Sequence, residues 1–250
     1  MSKERWTVTF AISRQKANGA RYRQAFKLEV DPDEYVLDGI ERVWAFHDRS
    51  LCYRHACHHS TCGACGMLVN GVEKLTCITL IRSVTRNGGT LRIDPLRNFP
   101  VVADLVVDMS SFYTRIEDAQ GVQVAPVEHA HLPHQKGTHP EDGYDHERLV
   151  DCLECGMCIS ACPAALTNPE YFGPAALAAA QQTQTISPKV SILNWADCAE
   201  GLWRCHNGFE CSEVCPSNVD PAWRIMDLRR KVIRRKVKRF FKRSTTEDKS

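Results

Sequence analysis

Thirteen cysteines in a chain of 250 residues constrain this fold more than any other feature. Most stand in tight runs. The N-terminus, Met1-Ser2-Lys3-Glu4-Arg5-Trp6, leads into no apolar run, so no secretory signal is expected. No stretch approaches the roughly 18 consecutive apolar residues that a membrane-spanning helix needs. The expected setting is the cytosol, or the cytosolic face of a membrane. Disulfides are rare there, and closely spaced cysteines point to metal.

The first run is Cys57-x4-Cys62-x2-Cys65, with Cys77 following. Four thiolates suit a [2Fe–2S] centre, two for each iron, and the spacing is the plant-type ferredoxin arrangement. Zinc sites more often pair their cysteines two by two. Gly63 and Gly66 allow close backbone approach in the loop. The second run is Cys152-x2-Cys155-x2-Cys158-x3-Cys162-Pro163, the bacterial cubane pattern, whose fourth cysteine serves a neighbouring cluster. That cross-ligation requires a partner run, and Cys205-x5-Cys211-x3-Cys215-Pro216 supplies it. Cys152, Cys155, Cys158 and Cys215 are then expected to hold a [4Fe–4S] cluster.

The other cubane is one thiol short. Gly208 stands where an intact run has its middle cysteine, leaving Cys162, Cys205 and Cys211. A [3Fe–4S] cluster is the expected product, and a [4Fe–4S] cluster with His206 as fourth ligand is the alternative. Cys52 and Cys198 are left over and read as small buried hydrophobes.

Around these runs the chain changes character. Trp6–Phe10 and Phe26–Val30 alternate at the strand period. Tyr35–Phe46 reads as an amphipathic helix. Met67–Val69 and Val72–Leu75 flank Asn70-Gly71, a type I′ hairpin signal, and Leu91–Ile93 reads as a closing strand. These elements suggest a small α+β domain. Residues 118–145 carry His129, His131, His134 and His139 among Pro, Gly and acids, which reads as a linker. Helices are expected over His146–Ala161, Pro174–Gln182 and Pro221–Lys238, with Pro174 and Pro221 suited to first turns. Net charge is only +2, yet residues 222–243 hold 11 of the 32 Lys and Arg and one acid, Asp227. A mildly acidic body carries a basic tail.

Taken together the chain resembles the iron–sulfur subunits of succinate dehydrogenases and fumarate reductases. The resemblance covers about residues 5–230. It extends to segments without ligands: Asp94-Pro95-Leu96, Phe99-Pro100-Val101-Val102, Asp104-Leu105-Val106-Val107-Asp108, Asn168-Pro169, Gly173-Pro174-Ala175 and Trp203-Arg204-Cys205-His206. It implies an α+β fold class: a β-grasp [2Fe–2S] ferredoxin domain at 1–106, a linker at 107–144, an α-helical [4Fe–4S]/[3Fe–4S] domain at 145–235, and a basic tail at 236–250. It implies a subunit between an FAD-containing flavoprotein and transmembrane anchor subunits, some of which bear haem b. Electrons would pass between flavin and quinone, with the dicarboxylate chemistry left to the flavoprotein. The chain itself shows no catalytic dyad and no Gly-rich nucleotide fingerprint.

The resemblance also places a quinone pocket at Pro163, Thr167, His206 and Gly208. Ubiquinone-linked members have tryptophan where this chain has Thr167, so menaquinone is the expected quinone. His58-His59 replaces the family's Arg-Glu after the first cluster cysteine. The full set of four thiols argues against a Rieske centre there, and the two histidines bear on cluster potential instead. The basic tail suits an anionic headgroup layer beside the anchor. Nucleic-acid binding has no support beyond the basic residues. A freestanding ferredoxin-like carrier is the rival reading, opposed by Gly208 and by the tail. A thiol-dependent fumarate reductase subunit would be expected to carry further cysteine-rich segments after Cys215.

Overall fold

The computed structural model describes residues 5–16, 19–119, 152–186 and 188–247. In chain order its elements are β1 (Trp6–Arg14), β2 (Tyr22–Val30), α1 (Val36–Phe46), β3 (Gly66–Val69), β4 (Val72–Leu75), α2 (Ile81–Val84), β5 (Thr90–Asp94), β6 (Val101–Ala103), β7 (Val106–Val107), α3 (Ser110–Asp118), α4 (Met157–Ser160), α5 (Pro163–Thr167), α6 (Pro174–Ile186), α7 (Val190–Ala196), α8 (Glu210–Glu213) and α9 (Pro221–Glu247). A short 3₁₀ turn covers Leu202–Arg204. They form two compact units. The first gathers the chain up to Ser111 with Cys152–Ala161 and Val214–Ser217. Of the described residues, the second takes 112–119, Cys162–Glu213 and the chain from Asn218.

The first unit is built on a five-stranded sheet in the order β2-β1-β5-β3-β4. β1 pairs antiparallel with β2 and parallel with β5, and β3 pairs antiparallel with both β4 and β5. Alternation along β1 and β2 sends Val8, Phe10, Ile12, Phe26, Leu28 and Val30 into one core with Val36, Ile40 and Val43 of α1. This is the small α+β domain expected from the strand periods. Asn70 and Gly71 take φ of 53° and 87° between β3 and β4, which is the mirror-image turn their types favour. Gly39 on α1 has a structural reason: a Cβ there would run into the ring of Phe10.

The segment that ends in α4 is tied to this sheet by a buried polar knot. The Ser160 hydroxyl donates to Glu73 Oε1 (2.7 Å) and accepts from the Arg97 backbone N–H (2.9 Å). The Arg97 guanidinium reaches the same Glu73 oxygen at 2.7 Å. Asn98 Nδ2 donates to the Ile159 carbonyl at 2.8 Å. Glu73 is 5% exposed, so its charge depends on these donors. A second knot joins Arg14 to Asp48 (2.7 Å) and Asp104 (3.0 Å). Asp104 also accepts the backbone N–H groups of Gln15 and Cys52.

The second unit is helical. Residues 174–181 of α6 are all buried, mostly as alanines, and the small side chains let α9 pack closely against them. Ala222, Ile225, Leu228 and Val232 form the inner face of α9, and Ile192, Leu193 and Ala196 that of α7. Arg224 is 2% exposed. Its guanidinium donates to the Val219 carbonyl and to Gln181 Oε1, both at 3.0 Å, and Gln181 in turn donates to Asp227 at 2.8 Å.

Several elements differ from the sequence expectation. Inside the stretch read as linker, Ser110–Asp118 is helical, because Asp108 accepts the Ser110 N–H and hydroxyl and the helix buries Phe112 and Ile116. The helix expected over His146–Ala161 is, among the described residues, only Met157–Ser160. Left-handed Glu154 and Gly156 (φ 49° and 77°) shape a loop ahead of it. The helix expected to end at Lys238 continues to Glu247, through most of the supposed tail. The four histidines at 129–139 lie outside the described residues.

Candidate metal centres

In the first unit Cys57 neighbours Cys62, and Cys77 neighbours both Cys65 and Cys57. The loop from 57 to 65 carries left-handed His58, Ser60 and Gly63 (φ 60°, 58° and 69°), which turns successive N–H groups inward. Cys57 Sγ accepts the N–H groups of Thr61 (3.3 Å), Cys62 (3.4 Å) and His59 (3.5 Å), and Cys77 Sγ accepts that of Ser60 (3.4 Å). The His59 N–H leads in holding the Cys57 thiol down to about 6, against some opposing desolvation. Burial first, then the adjoining Cys65 and Cys57, pushes Cys77 up to about 11. Four thiols with inward N–H donors fit a cluster that brings negative charge and sulfur acceptors.

A second set lies in the same unit. Cys155 faces Cys152 and Cys215, and burial pushes its thiol up to about 12, with both neighbours adding to the rise. Cys158 follows in the first turn of α4. A Cβ on Gly63 would stand 2.7 Å from the Leu153 carbonyl oxygen and 2.8 Å from Cys155 Cβ. The glycine of the first loop is therefore needed where that loop meets the second.

The third set belongs to the second unit. Cys211 faces Cys162 and Cys205, and burial pushes it up to about 12. All three thiols line a cavity with Pro163, Tyr171, His206 and Gly208. Cys162 precedes Pro163, the first residue of α5. Of the residues assigned to a quinone pocket, Pro163, His206 and Gly208 border this cavity. Thr167 lies further along α5, where its hydroxyl donates to the Ala164 carbonyl and accepts from Arg204. A thiol set lined mostly by apolar and aromatic groups, with Asn207 and Glu210 beside it and one corner lacking a cysteine, fits a three-iron cluster. Cys52 is exposed and Cys198 half-buried, so Cys52 departs from the buried hydrophobe expected of it.

Three residues near this site were not singled out from sequence. Tyr171 is 1% exposed, and burial followed by the charges of Cys205, Cys162 and Cys211 raises its phenol well above the ordinary range. Glu210 brings its carboxylate against Gly208, where a Cβ would lie 2.8 Å from Glu210 Cδ. Arg229 on α9 donates to the carbonyls of Leu202 (2.6 Å) and Cys205 (3.0 Å) and so fixes the loop that presents Cys205. The first two stand within or just before flagged motifs. Arg229 is hidden among the basic residues of the tail.

Two family models match. Residues 9–114 match a 2Fe-2S iron-sulfur cluster binding domain, and residues 148–219 a 4Fe-4S dicluster domain. Among curated relatives, the fumarate reductase iron-sulfur subunit of Mycobacterium tuberculosis is 34% identical over 205 residues, covering 80% of this chain and 81% of that one. The Haemophilus influenzae protein of the same name is 33% identical, covering 79% and 81%. The succinate dehydrogenase iron-sulfur subunit of Coxiella burnetii is 29% identical, covering 90% and 97%. In fold, the chain is similar to one chain of the Mycobacterium smegmatis Sdh1 complex, with a TM-score of 0.77 at 24% identity, covering 94% and 98%. The chain belongs to the family of iron–sulfur subunits of fumarate reductases and succinate dehydrogenases.

Proposed function

We propose that this chain is the electron-transfer subunit of a membrane-bound succinate dehydrogenase or quinol:fumarate reductase. Cys57, Cys62, Cys65 and Cys77 hold a [2Fe–2S] cluster. Cys152, Cys155, Cys158 and Cys215 hold a [4Fe–4S] cluster. Cys162, Cys205 and Cys211 hold a [3Fe–4S] cluster. Together the three clusters supply one-electron carriage between the FAD of a flavoprotein partner and a quinone, preferably menaquinone, at a membrane anchor, which can carry haem b. The observation that supports the reading is that Cys57 neighbours Cys62, Cys77 neighbours Cys65 and Cys57, Cys155 faces Cys152 and Cys215, and Cys211 faces Cys162 and Cys205. The ends of the two cubane runs are exchanged between the units, as cross-ligation requires.

The protein's own part is to hold, screen and orient. Inward N–H groups at Cys57 and Cys77 stabilise charge on sulfur. Burial of Cys155 and Cys211 keeps water from the inner sites. Pro163, Thr167, His206 and Gly208 are assigned to the quinone side. The outer half of α9 exposes Val237, Phe240 and Phe241 among Lys and Arg, a surface suited to an anchor subunit and anionic headgroups at the cytoplasmic face. Among the described residues no helix is long and apolar enough to cross a membrane, so attachment is assigned to the partner.

The test is an EPR-monitored redox titration of the complex purified from membranes. A [3Fe–4S] signal in the oxidised state beside a reducible [2Fe–2S] signal is expected. Gly208→Cys should replace the [3Fe–4S] signal with a second [4Fe–4S] signal, since the atoms nearest an added Cβ belong to the movable end of Glu210. Two [4Fe–4S] signals in the unmodified protein would overturn the three-iron assignment and favour a freestanding carrier.

A further inference from the structure

Beside the first thiol set, Glu41 of α1 meets His55 and His58 of the loop that leads into and past Cys57. His55 Nδ1 and His58 Nε2 each lie 3.2 Å from Glu41 Oε1, and 3.2 Å from one another. The three atoms form an equilateral triangle. Ligand lengths of about 2.0–2.1 Å put neighbouring corners of a tetrahedral zinc site about 3.3–3.4 Å apart. Octahedral geometry at the same lengths would need about 2.8–3.0 Å.

The carboxylate oxygen supports a metal over a hydrogen-bonded cluster. Glu41 Oε1 is shielded from solvent and accepts no hydrogen bond, although both ring nitrogens are close by. The Glu41 side chain as a whole is 30% exposed, but this one oxygen is left without a partner, a position that a cation held jointly with the two ring nitrogens would fill. The rings are held in place. Tyr53 stacks on His55 with centroids 5.0 Å apart, and His58 stands edge-on to His55 at 5.3 Å. His58 adopts a φ of 60° to reach its position. Both imidazoles remain partly open, at 39% and 44% exposure, so an ion has a way in and water can fill the fourth corner.

We infer that Glu41, His55 and His58 form a mononuclear zinc site separate from the three clusters. Two imidazoles and one carboxylate are a donor set that zinc accepts. His58 is thereby given a role in which the basic residue the family usually places there could not serve.

The purified complex, stripped with dipicolinate, would be titrated with Zn²⁺ against a chromophoric indicator, with iron and zinc counted by mass spectrometry. The unmodified protein should bind one more zinc per chain than Glu41→Gln or His55→Gln, or bind it at least tenfold more tightly, while iron per chain stays the same. The variants separate this site from His129, His131, His134 and His139, which they leave intact. Zinc-edge X-ray absorption of the unmodified protein needs no variant and should show a nitrogen and oxygen shell at about 2.0 Å. Equal zinc uptake by all three proteins, or a sulfur shell around the bound zinc, would overturn the site.

Discussion

Gly63→Ala separates two demands that the structure makes of one residue. The position has a φ of 69°, and a Cβ there would press on the Leu153 carbonyl at 2.7 Å and on Cys155 Cβ at 2.8 Å. Left-handed backbone costs an alanine about 1–2 kcal/mol. Overpacking against atoms that cannot easily give way adds about 1–3 kcal/mol. Gly88 provides the control, because its φ is 75° and no atom lies within 4 Å of an added Cβ. Gly88→Ala should therefore lose about 1–2 kcal/mol, and Gly63→Ala about 2–5 kcal/mol. For a chain of this size each kcal/mol lowers Tm by about 2–4 °C. Differential scanning fluorimetry of the two variants beside the parent reads the difference. Because the contact partner is Cys155, Gly63→Ala should also weaken the EPR signals of both the [2Fe–2S] and the [4Fe–4S] centres, while Gly88→Ala leaves both intact. Equal Tm losses in the two variants, with clusters unaffected, would show that the approach of the two loops is not tight.

Two other changes probe the frame around the centres. Arg224→Met removes the donor to Gln181 Oε1 and the Val219 carbonyl inside the second unit, leaving two buried acceptors short of a partner. At about 1–3 kcal/mol for each, urea unfolding should show a loss of about 2–6 kcal/mol, and a loss below 1 kcal/mol would refute the knot. Asp48 is held well below its ordinary 3.8 by the Ser50 hydroxyl and then by Arg14. A carboxyl lowered by folding contributes stability above its unfolded value and gives it up as pH falls through the folded one. The Tm advantage of the parent over Asp48→Asn should thus be full near neutrality and shrink as pH falls below about 4. An advantage that stayed constant would contradict the assignment.

Trp6–Phe10, Phe26–Val30 and α1 were legible because each keeps a single period, and Asn70-Gly71 names its own turn, whereas β1 runs on to Arg14 through residues that are all buried and so show no alternation. The thiol sets were legible because ligand spacing is a local property. What escaped was set by distance along the chain. Arg229 holds the carbonyl of Cys205 from 24 residues away, and in sequence it looks like one base in a run of bases. The knot of Glu73, Arg97 and Ser160 spans 87 residues, and none of its members is unusual alone. The expected helix over 146–161 has an apolar pattern, but left-handed backbone at Glu154 and Gly156 gives part of it to the thiol loop. The triangle of Glu41, His55 and His58 depends on the turn of α1 relative to the loop, which no spacing rule records.

The exchange of cysteine runs between the two units has a consequence for the order of events on the ribosome. Three of the thiols proposed for the second centre are made by residue 158, yet the fourth, Cys215, comes 57 residues later. Val214–Ser217 must return to a unit whose other parts were finished long before. The second unit is likewise completed around residues on both sides of that return. Neither unit has all its parts until the chain has passed Val214–Ser217, so loading of the two inner centres proposed above, whose last thiols are Cys211 and Cys215, would wait for that return, whereas the first four thiols are all present by Cys77.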